Sequence, residues 1–224
     1  MSKISVVKHG VVEYSEMSEV MRELQKQRIG DLIPDTLIFV EHPEVVTIGP
    51  KAIREEIVVK GYPTLPTDRG GGVTWHGPGQ LVAYPIVKWG IGEQSVRSVI
   101  GRLEDWAIDA LSELGIEAYK DSAMQGAWVD GHKVCSIGLS FLHWVSRHGM
   151  SINFDTPGNR VEELEGCGTK PGTHTSLARL GYLEDLSGKK IDSERLVDAL
   201  ISTCQKHLGR KPVIQVGRVT EVSV

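Results

Sequence analysis

Two pairs of short apolar runs, each joined by turn residues, constrain the fold of this chain more than any other feature. The runs are residues 36–41 and 45–48 around His42-Pro43, and residues 126–129 and 132–142 around Asp130-Gly131. Asp-Gly between apolar runs is the strongest short-range signal for a β-hairpin. The sequence therefore predicts two hairpins. Strand-like composition predicts three further strands, at residues 5–12, 81–87 and 148–154.

Three segments carry apolar residues at helical spacing: residues 16–29, 95–114 and 194–208. In the second segment one continuous apolar stripe ends at Leu114, and Gly115 follows as a stop signal. A regular alternation of strand, helix and strand is missing, which disfavours a doubly wound nucleotide-binding sheet. The pattern predicts an α+β fold, in which helices pack on a mixed, largely antiparallel sheet, with one domain over residues 1–224.

The charge balance and the cysteines exclude several classes of protein. The chain has 25 basic and 29 acidic residues, and its net charge of -4 gives no general attraction to nucleic acid or acidic membranes. No apolar run approaches the roughly 18 residues of a membrane span, and we expect no signal peptide. Cys135, Cys167 and Cys204 have no Cys-X-X-Cys spacing, which disfavours disulfides and a zinc site. We expect a cytoplasmic protein with reduced thiols and no metal or cofactor.

The segment from Arg69 to Gln80 is the first candidate for a functional site. It contains three consecutive glycines, and glycine makes up 25 of the 224 residues, which indicates unusual backbone angles or close backbone approach. Consecutive glycines let the backbone approach a ligand and turn its N–H groups inward. The segment lacks the patterns of a P-loop and of a dinucleotide-binding loop. Arginine, histidine and glutamine beside these glycines favour a binding site over a tight turn between strands.

Lys133 is the second candidate. Residues two apart in a strand face the same side, so Lys133 is expected to share a face with Cys135, Ile137 and Leu139. A lysine on an apolar face must extend to water, find a partner or lose its charge. The alternative is an exposed hairpin lysine directly after Asp130-Gly131.

Cys167 is the third candidate, because it lies between two glycines in a predicted loop. Access to solvent and neighbouring backbone N–H groups suit a nucleophile with an oxyanion site. The alternative is an ordinary loop thiol. Cys204, by contrast, lies on the apolar stripe of the last helix and is predicted to be a core residue.

Several short motifs, in the same order along nearly the whole chain, resemble those of the lipoyl(octanoyl) transferases. They are Glu41-His42-Pro43, Thr47-Ile48-Gly49, Arg69-Gly70-Gly71 with Thr74, His76, Gly79-Gln80 and Tyr84, Lys133 to Gly138, His148-Gly149 with Asn153, Cys167-Gly168, and Thr175-Ser176-Leu177. The resemblance implies a single α+β domain of the biotinyl/lipoyl-protein-ligase type.

The resemblance also implies the roles of individual residues. Cys167 would be the nucleophile that carries the acyl group as a thioester, and Lys133 the residue that lowers its pKa. We further hypothesise that His76 bonds the thioester carbonyl or orients Lys133, and that backbone N–H groups near Cys167 and Gly71-Gly72 bind the oxyanion. The residues implied to line the acyl substrate are Arg69, Gly70, Gly71, Gly72, Val73, Thr74, Trp75, His76, Ser136, Ile137, Gly138, Gly149, Met150 and Ser151.

The implied reaction moves an octanoyl group from an acyl carrier protein to a lysine of a lipoyl domain. The acceptors would be the lipoyl domains of 2-oxoacid dehydrogenase E2 subunits and the glycine cleavage H protein, and the enzyme would act as a monomer. The closest alternative is an ATP-dependent lipoate–protein ligase of the same fold. Two further alternatives are a cysteine hydrolase that pairs His76 or His174 with a thiol, and a binding module without activity.

Overall fold

The computed structural model describes residues 2–122, 124–164 and 170–215. The strands and helices follow in the order β1 (Lys3–Val11), α1 (Tyr14–Ile29), β2 (Asp35–Glu41), β3 (Val45–Ile48), α2 (Pro50–Arg54), β4 (Thr64–Pro66), β5 (Val73–His76), β6 (Gln80–Ile86), α3 (Val96–Glu113), β7 (Ala127–Val129), β8 (His132–Leu142), β9 (Val145–Asn153), α4 (Ser193–Leu208) and β10 (Lys211–Ile214). None of the helices within the described ranges is long and apolar enough to cross a membrane.

Seven strands form one sheet in the order β10-β1-β2-β6-β9-β8-β7, and β4-β3-β5 form a smaller sheet. In the large sheet β1 pairs in parallel with β2 and β10, whereas all other neighbours pair antiparallel. The prediction of a mixed, largely antiparallel sheet is therefore confirmed. The expectation of one domain over the whole chain stays a prediction.

The predicted hairpin at residues 36–48 is wrong, although both of its strands exist. β2 lies inside the large sheet between β1 and β6, whereas β3 lies between β4 and β5. The reason is burial, since β2 is buried along nearly its whole length and needs a partner on each side. His42, at the predicted turn, is itself fully buried, and its Nδ1 lies 2.6 Å from the Val12 carbonyl oxygen. The second predicted hairpin, β7 with β8, is confirmed.

The three predicted long helices are confirmed. α3 and α4 cover one face of the large sheet, and α1 covers the other. α3 and α4 contribute to one apolar core, in which the Trp106 indole N–H donates to the Leu200 carbonyl at 2.9 Å. Cys204 is fully buried in this core, as predicted. α1 contributes Met17 and Met21 to a second cluster on the other face. The site described below lies on the face that α1 covers.

A buried ion pair joins the end of α4 to the large sheet. The Asp35 carboxylate, in β2, accepts hydrogen bonds from Arg28 at 2.7 Å and from Arg210 at 3.1 Å. Arg210 also lies over the ring of Trp89, 5.0 Å from its centroid. Both Asp35 and Arg210 are almost fully buried, and Arg210 also pairs with the Glu93 carboxylate, so neighbouring charges neutralise both groups.

Asp35→Ala should lower the free energy of unfolding by about 3 kcal/mol, because it leaves Arg210 buried without one of its counterions. Urea denaturation followed by circular dichroism measures the change. Asp198→Ala is the matched control, since its pair with Lys8 is exposed and should contribute no more than about 1 kcal/mol. Equal losses in the two variants would contradict this account of the Asp35 network.

Candidate active site

Two adjacent pockets lie between the large sheet, the glycine segment and the amino-terminal end of α1. The first, here called the tyrosine lobe, is lined by Tyr14, Arg69, Thr74, His76, Val82, Tyr84, Ser136, Ile137, Gly138, His148, Gly149, Met150 and Ser151. The second, the leucine lobe, is lined by Val73, Thr74, Trp75, Gln80, Ser136, Asn153, Val161, Leu164 and His174. Thr74 and Ser136 line both lobes, so the two pockets are neighbours, and together they are called the cavity below. The tyrosine lobe is narrow, with a volume of about 30 Å³.

The structure brings most of the predicted substrate-binding residues to this cavity. Nine of them line the tyrosine lobe: Arg69, Thr74, His76, Ser136, Ile137, Gly138, Gly149, Met150 and Ser151. Val73 and Trp75 line the leucine lobe instead. Trp75 also belongs to a separate apolar cluster with Val161 and Leu164, and its indole N–H donates to Glu44. Gly70, Gly71 and Gly72 are among the lining residues of neither lobe.

The three glycines form a loop that is held against two other backbones. The Gly70 N–H donates to the Leu139 carbonyl at 2.9 Å, and the Gly72 carbonyl accepts from Gly49 at 2.8 Å. Gly71 has a φ of 95°, which disfavours any side chain. A Cβ atom on Gly138 would lie 2.9 Å from the Gly70 carbonyl oxygen. The glycine content thus reflects close backbone approach, as predicted.

Arg69 is buried and braces this loop from inside. Its guanidinium donates to the Thr47 hydroxyl at 2.7 Å and to the carbonyls of Thr47 and Gly72 at 2.9 and 3.0 Å. A planar group with several donors suits this arrangement, because it can satisfy several carbonyl oxygens at once. Arg69 therefore both lines the tyrosine lobe and fixes the shape of the glycine loop.

Lys133 faces the opposite side of the sheet from the one predicted. Ala127 pairs with Cys135 but Trp128 pairs with Lys133, so β8 contains one extra residue, Val134. Ala127 and Val129 point into the core of α3 and α4, and Trp128 between them does not belong to it. Because cross-strand partners share a face, Lys133 lies away from this core, whereas Cys135 lies within it. Cys135, Ile137 and Leu139 share one face of the sheet, as predicted. The prediction that Lys133 lies on the same face is wrong.

Lys133 is buried, with 7% of its surface exposed, so it is not a solvated hairpin lysine. Burial, with a smaller contribution from Arg69, lowers its pKa to about 8. His174 lies beside it, and burial together with the charge of Lys133 lowers the pKa of that imidazole to about 4. Main-chain bonds hold the two segments together, since the Lys133 N–H donates to Thr173 at 2.8 Å and its carbonyl accepts from Thr175 at 3.1 Å.

Cys167 lies outside the described residues. Its predicted proximity to Lys133 therefore stays a prediction. The chain on either side of it is described and is anchored. The Gly172 N–H donates to the Glu162 carbonyl at 2.8 Å, and the Thr175 hydroxyl donates to the Glu162 carboxylate at 2.9 Å. Leu164, three residues before Cys167, lines the leucine lobe.

His76 belongs to a buried group of rings, and the two roles suggested for it from the sequence stay predictions. Its Nδ1 lies 2.7 Å from the Gln80 amide oxygen and its Nε2 lies 3.4 Å from the Thr47 hydroxyl. Its ring stacks on Tyr14 with the centroids 5.4 Å apart. Burial lowers the pKa of His76 well below its usual value, so the imidazole is neutral. His76 therefore shapes the wall of the tyrosine lobe.

Sequence reasoning missed a second polar group in the same lobe. His148, in β9, lies with its Nε2 2.8 Å from the Asp68 carboxylate, and Arg147 forms an ion pair with the same carboxylate. The Tyr14 hydroxyl lies 3.4 Å from His148 Nδ1. His148 stood within a recognised motif, but neither Asp68 nor Tyr14 carried a signal in the sequence. Both reach the site through tertiary contacts alone.

Solved structures identify the fold. Lipoate-protein ligase A bound with ATP superposes with a TM-score of 0.70 at 12% identity, over 98% of this chain and 91% of that one. The bi-partite lipoate protein ligase of Thermoplasma acidophilum gives 0.66 at 12% identity, over 98% and 90%. Biotin protein ligase from Aquifex aeolicus with biotin and ATP gives 0.55 at 13% identity, over 93% and 71%. The predicted fold type is therefore confirmed.

The family comparison agrees with the superpositions, because the lipoyl protein ligase A/B catalytic domain matches residues 13–205. The chain is thus a catalytic domain of this class. Among curated relatives, the octanoyltransferase of Syntrophobacter fumaroxidans is 34% identical over 189 residues, 81% of this chain and 82% of that protein. The octanoyltransferase of Caldicellulosiruptor saccharolyticus is 33% identical over 218 residues, 93% and 90% of the two. The chain belongs to the octanoyltransferase family, and it is an acyltransferase.

Gly138→Ala should reduce kcat/KM for octanoyl transfer about tenfold, because the added methyl group pushes the Gly70 carbonyl and displaces the glycine loop. Steady-state kinetics measures the effect. Gly10→Ala is the control, since a Cβ atom there meets nothing within 4 Å. Unchanged kinetics in Gly138→Ala would show that the position of the loop does not matter for the reaction.

Proposed function

We propose that this enzyme transfers an octanoyl group from octanoyl-acyl carrier protein to a lysine of a lipoyl domain, through a thioester on Cys167. The observation that carries the proposal is Lys133, a buried lysine with a pKa lowered to about 8 beside the cavity. A group with this pKa serves in both protonation states near neutral pH. It can stabilise a thiolate as an ammonium, and it can accept a proton as an amine.

The other two cysteines are poor nucleophiles, which supports Cys167. Cys135 and Cys204 are fully buried, and burial raises the pKa of each thiol to about 12. A thiol of that pKa has almost no thiolate at neutral pH, and the thiolate is the reactive form. A cation within about 4–6 Å favours the thiolate of a neighbouring cysteine. Lys133 can supply that cation to Cys167.

Covalent geometry is compatible with this pairing. An extended chain spans at most about 3.6 Å per residue, so the Cα of Cys167 is limited to about 11 Å from that of Leu164. On the other side, residues 173–175 hydrogen-bond directly to the strand of Lys133. These limits are compatible with the proposed pairing of Cys167 with Lys133.

The tyrosine lobe is suited to the acyl chain. Val82, Ile137 and Met150 give it apolar walls, and burial of each CH₂ group contributes about 0.8 kcal/mol. The lobe must widen when the chain enters.

The reaction divides into two balanced steps. The Cys167 thiolate attacks the thioester carbonyl, the bond from that carbon to the donor sulphur breaks, and the donor leaves as a thiolate. The acceptor amine then attacks the new thioester, the carbon–sulphur bond to Cys167 breaks, and Lys133 takes the proton that the amine releases. Backbone N–H groups of the glycine loop are our candidates for binding the oxyanion in both steps. Neither step needs ATP, because the acyl group is already activated as a thioester.

The expected partners follow from this reaction. The relatives are named octanoyltransferases, and one structural neighbour was described together with its E2 lipoyl domain. We infer that lipoyl domains of 2-oxoacid dehydrogenase E2 subunits and the glycine cleavage H protein accept the acyl group here. The alternative is an ATP-dependent lipoate–protein ligase, since the ligase neighbours share the fold. Transfer that requires ATP and free lipoate, and fails with octanoyl-acyl carrier protein, would establish that alternative.

Incubation with octanoyl-acyl carrier protein, without an acceptor, should add one octanoyl group to the peptide that contains Cys167. Mass spectrometry of the digested protein locates the adduct, and addition of an apo lipoyl domain should remove it. Cys167→Ala should form no adduct. Cys135→Ala is the matched control and should retain it, because Cys135 is buried in the core. An adduct on Cys135 would contradict the assignment.

Two substitutions separate the roles of Lys133. Lys133→Arg retains a cation that cannot be deprotonated, so it should still form the acyl-enzyme but should slow transfer to the acceptor at least 100-fold. Lys133→Gln should slow both steps. In the wild-type enzyme the rate of transfer from preformed acyl-enzyme should rise with pH through about 8, because the neutral amine is the base. Single-turnover measurements test this, and a wild-type pH profile in Lys133→Gln would remove Lys133 from the reaction.

A further inference from the structure

His148 has a backbone conformation that is uncommon inside a strand. Its φ is 61°, in the left-handed region, although it lies in the middle of β9. Such a conformation costs energy in a residue other than glycine, and such residues are concentrated at functional sites. Neighbouring residues in a strand normally face opposite sides, yet Arg147 and His148 both contact the Asp68 carboxylate. The unusual φ turns the His148 imidazole into the tyrosine lobe.

The imidazole forms part of a hydrogen-bonded chain at the wall of this lobe. Asp68 accepts a hydrogen bond from His148 Nε2 at 2.8 Å, which leaves Nδ1 as an acceptor for the Tyr14 hydroxyl at 3.4 Å. The same hydroxyl lies 3.2 Å from the hydroxyl of Thr67. Tyr14 and His148 are 4% and 2% exposed, so their polar atoms depend on these contacts.

Ionisation states agree with this arrangement. The hydrogen bond from His148 holds the pKa of Asp68 well below its usual range, so the carboxylate is charged. Burial lowers the pKa of His148 and raises the pKa of Tyr14, so the imidazole is neutral and the phenol retains its proton. The hydrogen-bonded series therefore begins at the charged Asp68 carboxylate, continues through the His148 imidazole and ends at the Tyr14 hydroxyl in the tyrosine lobe.

The lining of the tyrosine lobe includes both apolar and polar side chains. Val82, Ile137 and Met150 supply apolar surface, whereas Tyr14 and His148 supply a hydroxyl and an imidazole. An alkyl chain gains from contact with the first group. It gains nothing from the second, because it cannot replace the hydrogen bonds that it would displace.

We propose that Tyr14 and His148 form the polar end of the acyl pocket and set the upper length of the acyl chain, with Asp68 as the residue that positions His148. This inference rests on the proposed function. Each further buried CH₂ would otherwise improve binding about fourfold. A longer chain loses this gain, because its end meets the hydroxyl of Tyr14 and must break the contact with His148.

The test is a competition between octanoyl-acyl carrier protein and decanoyl-acyl carrier protein in one reaction with an apo lipoyl domain. Mass spectrometry of the product gives the ratio of the two kcat/KM values. This ratio does not depend on the fraction of folded enzyme, so a variant that folds poorly still gives an answer. The wild-type enzyme should prefer the octanoyl donor.

Tyr14→Phe removes the hydroxyl and keeps the ring, and it should shift the ratio about tenfold towards the decanoyl donor. Asp68→Asn weakens the hydrogen bond that positions His148, and it should shift the ratio in the same direction by a smaller factor. Tyr182→Phe is the matched control and should leave the ratio unchanged, because the Tyr182 hydroxyl bonds Asp130 in an exposed contact away from the lobe.

An unchanged ratio in both Tyr14→Phe and Asp68→Asn would overturn this inference and leave the proposed function intact. Failure of the wild-type enzyme to transfer either acyl group would overturn the proposed function, and this inference with it. A ratio that shifts equally in Tyr182→Phe would also contradict the assignment, since the effect would then not depend on the polar end of the lobe.

Discussion

The direction in which Lys133 points depends on one additional residue, Val134, in β8. Without Val134 as an additional residue, Lys133 would follow the alternation of its strand and point into the core beside Cys135. With it, Lys133 shares a face with Trp128 instead, while its main chain is held by β7 on one side and by residues 173–175 on the other. A buried ammonium is costly, so the position lowers the pKa of Lys133 and makes this group a usable base.

The rest of the site is arranged around the same cavity by contacts that are far apart in sequence. Arg69 braces the glycine loop from within, and Gly138 lets that loop approach β8 closely. Asp68 holds an imidazole that the backbone of β9 turns into the tyrosine lobe. The leucine lobe adjoins the segment that leads to Cys167, and the tyrosine lobe contains the polar group at Tyr14.

Much of the fold could be predicted from the sequence, because the signals involved are local. The stripe of α3, the Asp130-Gly131 turn and the stop at Gly115 each act over a few residues, and the structure confirms them. Most of the predicted lining residues were also found at the cavity, since the motifs of the family mark them. The pairing of β2 and β3 was wrong, because a turn indicates a change of direction and not the partner that burial will select. Three features arise from tertiary packing, and no local sequence pattern predicts them: the bulge at Val134, the φ of His148 and the role of Asp68.

The account depends most on the state of Lys133, which can be measured without any substrate. Lysine labelled with ¹³C at Cε and ¹⁵N at Nζ, assigned by comparison with Lys133→Arg, allows the titration of this one ammonium to be followed by NMR. We expect a midpoint near pH 8, because burial disfavours the charged form of Lys133. A midpoint at the ordinary lysine value of about 10.4 would contradict it, because Lys133 would then remain charged throughout the reaction.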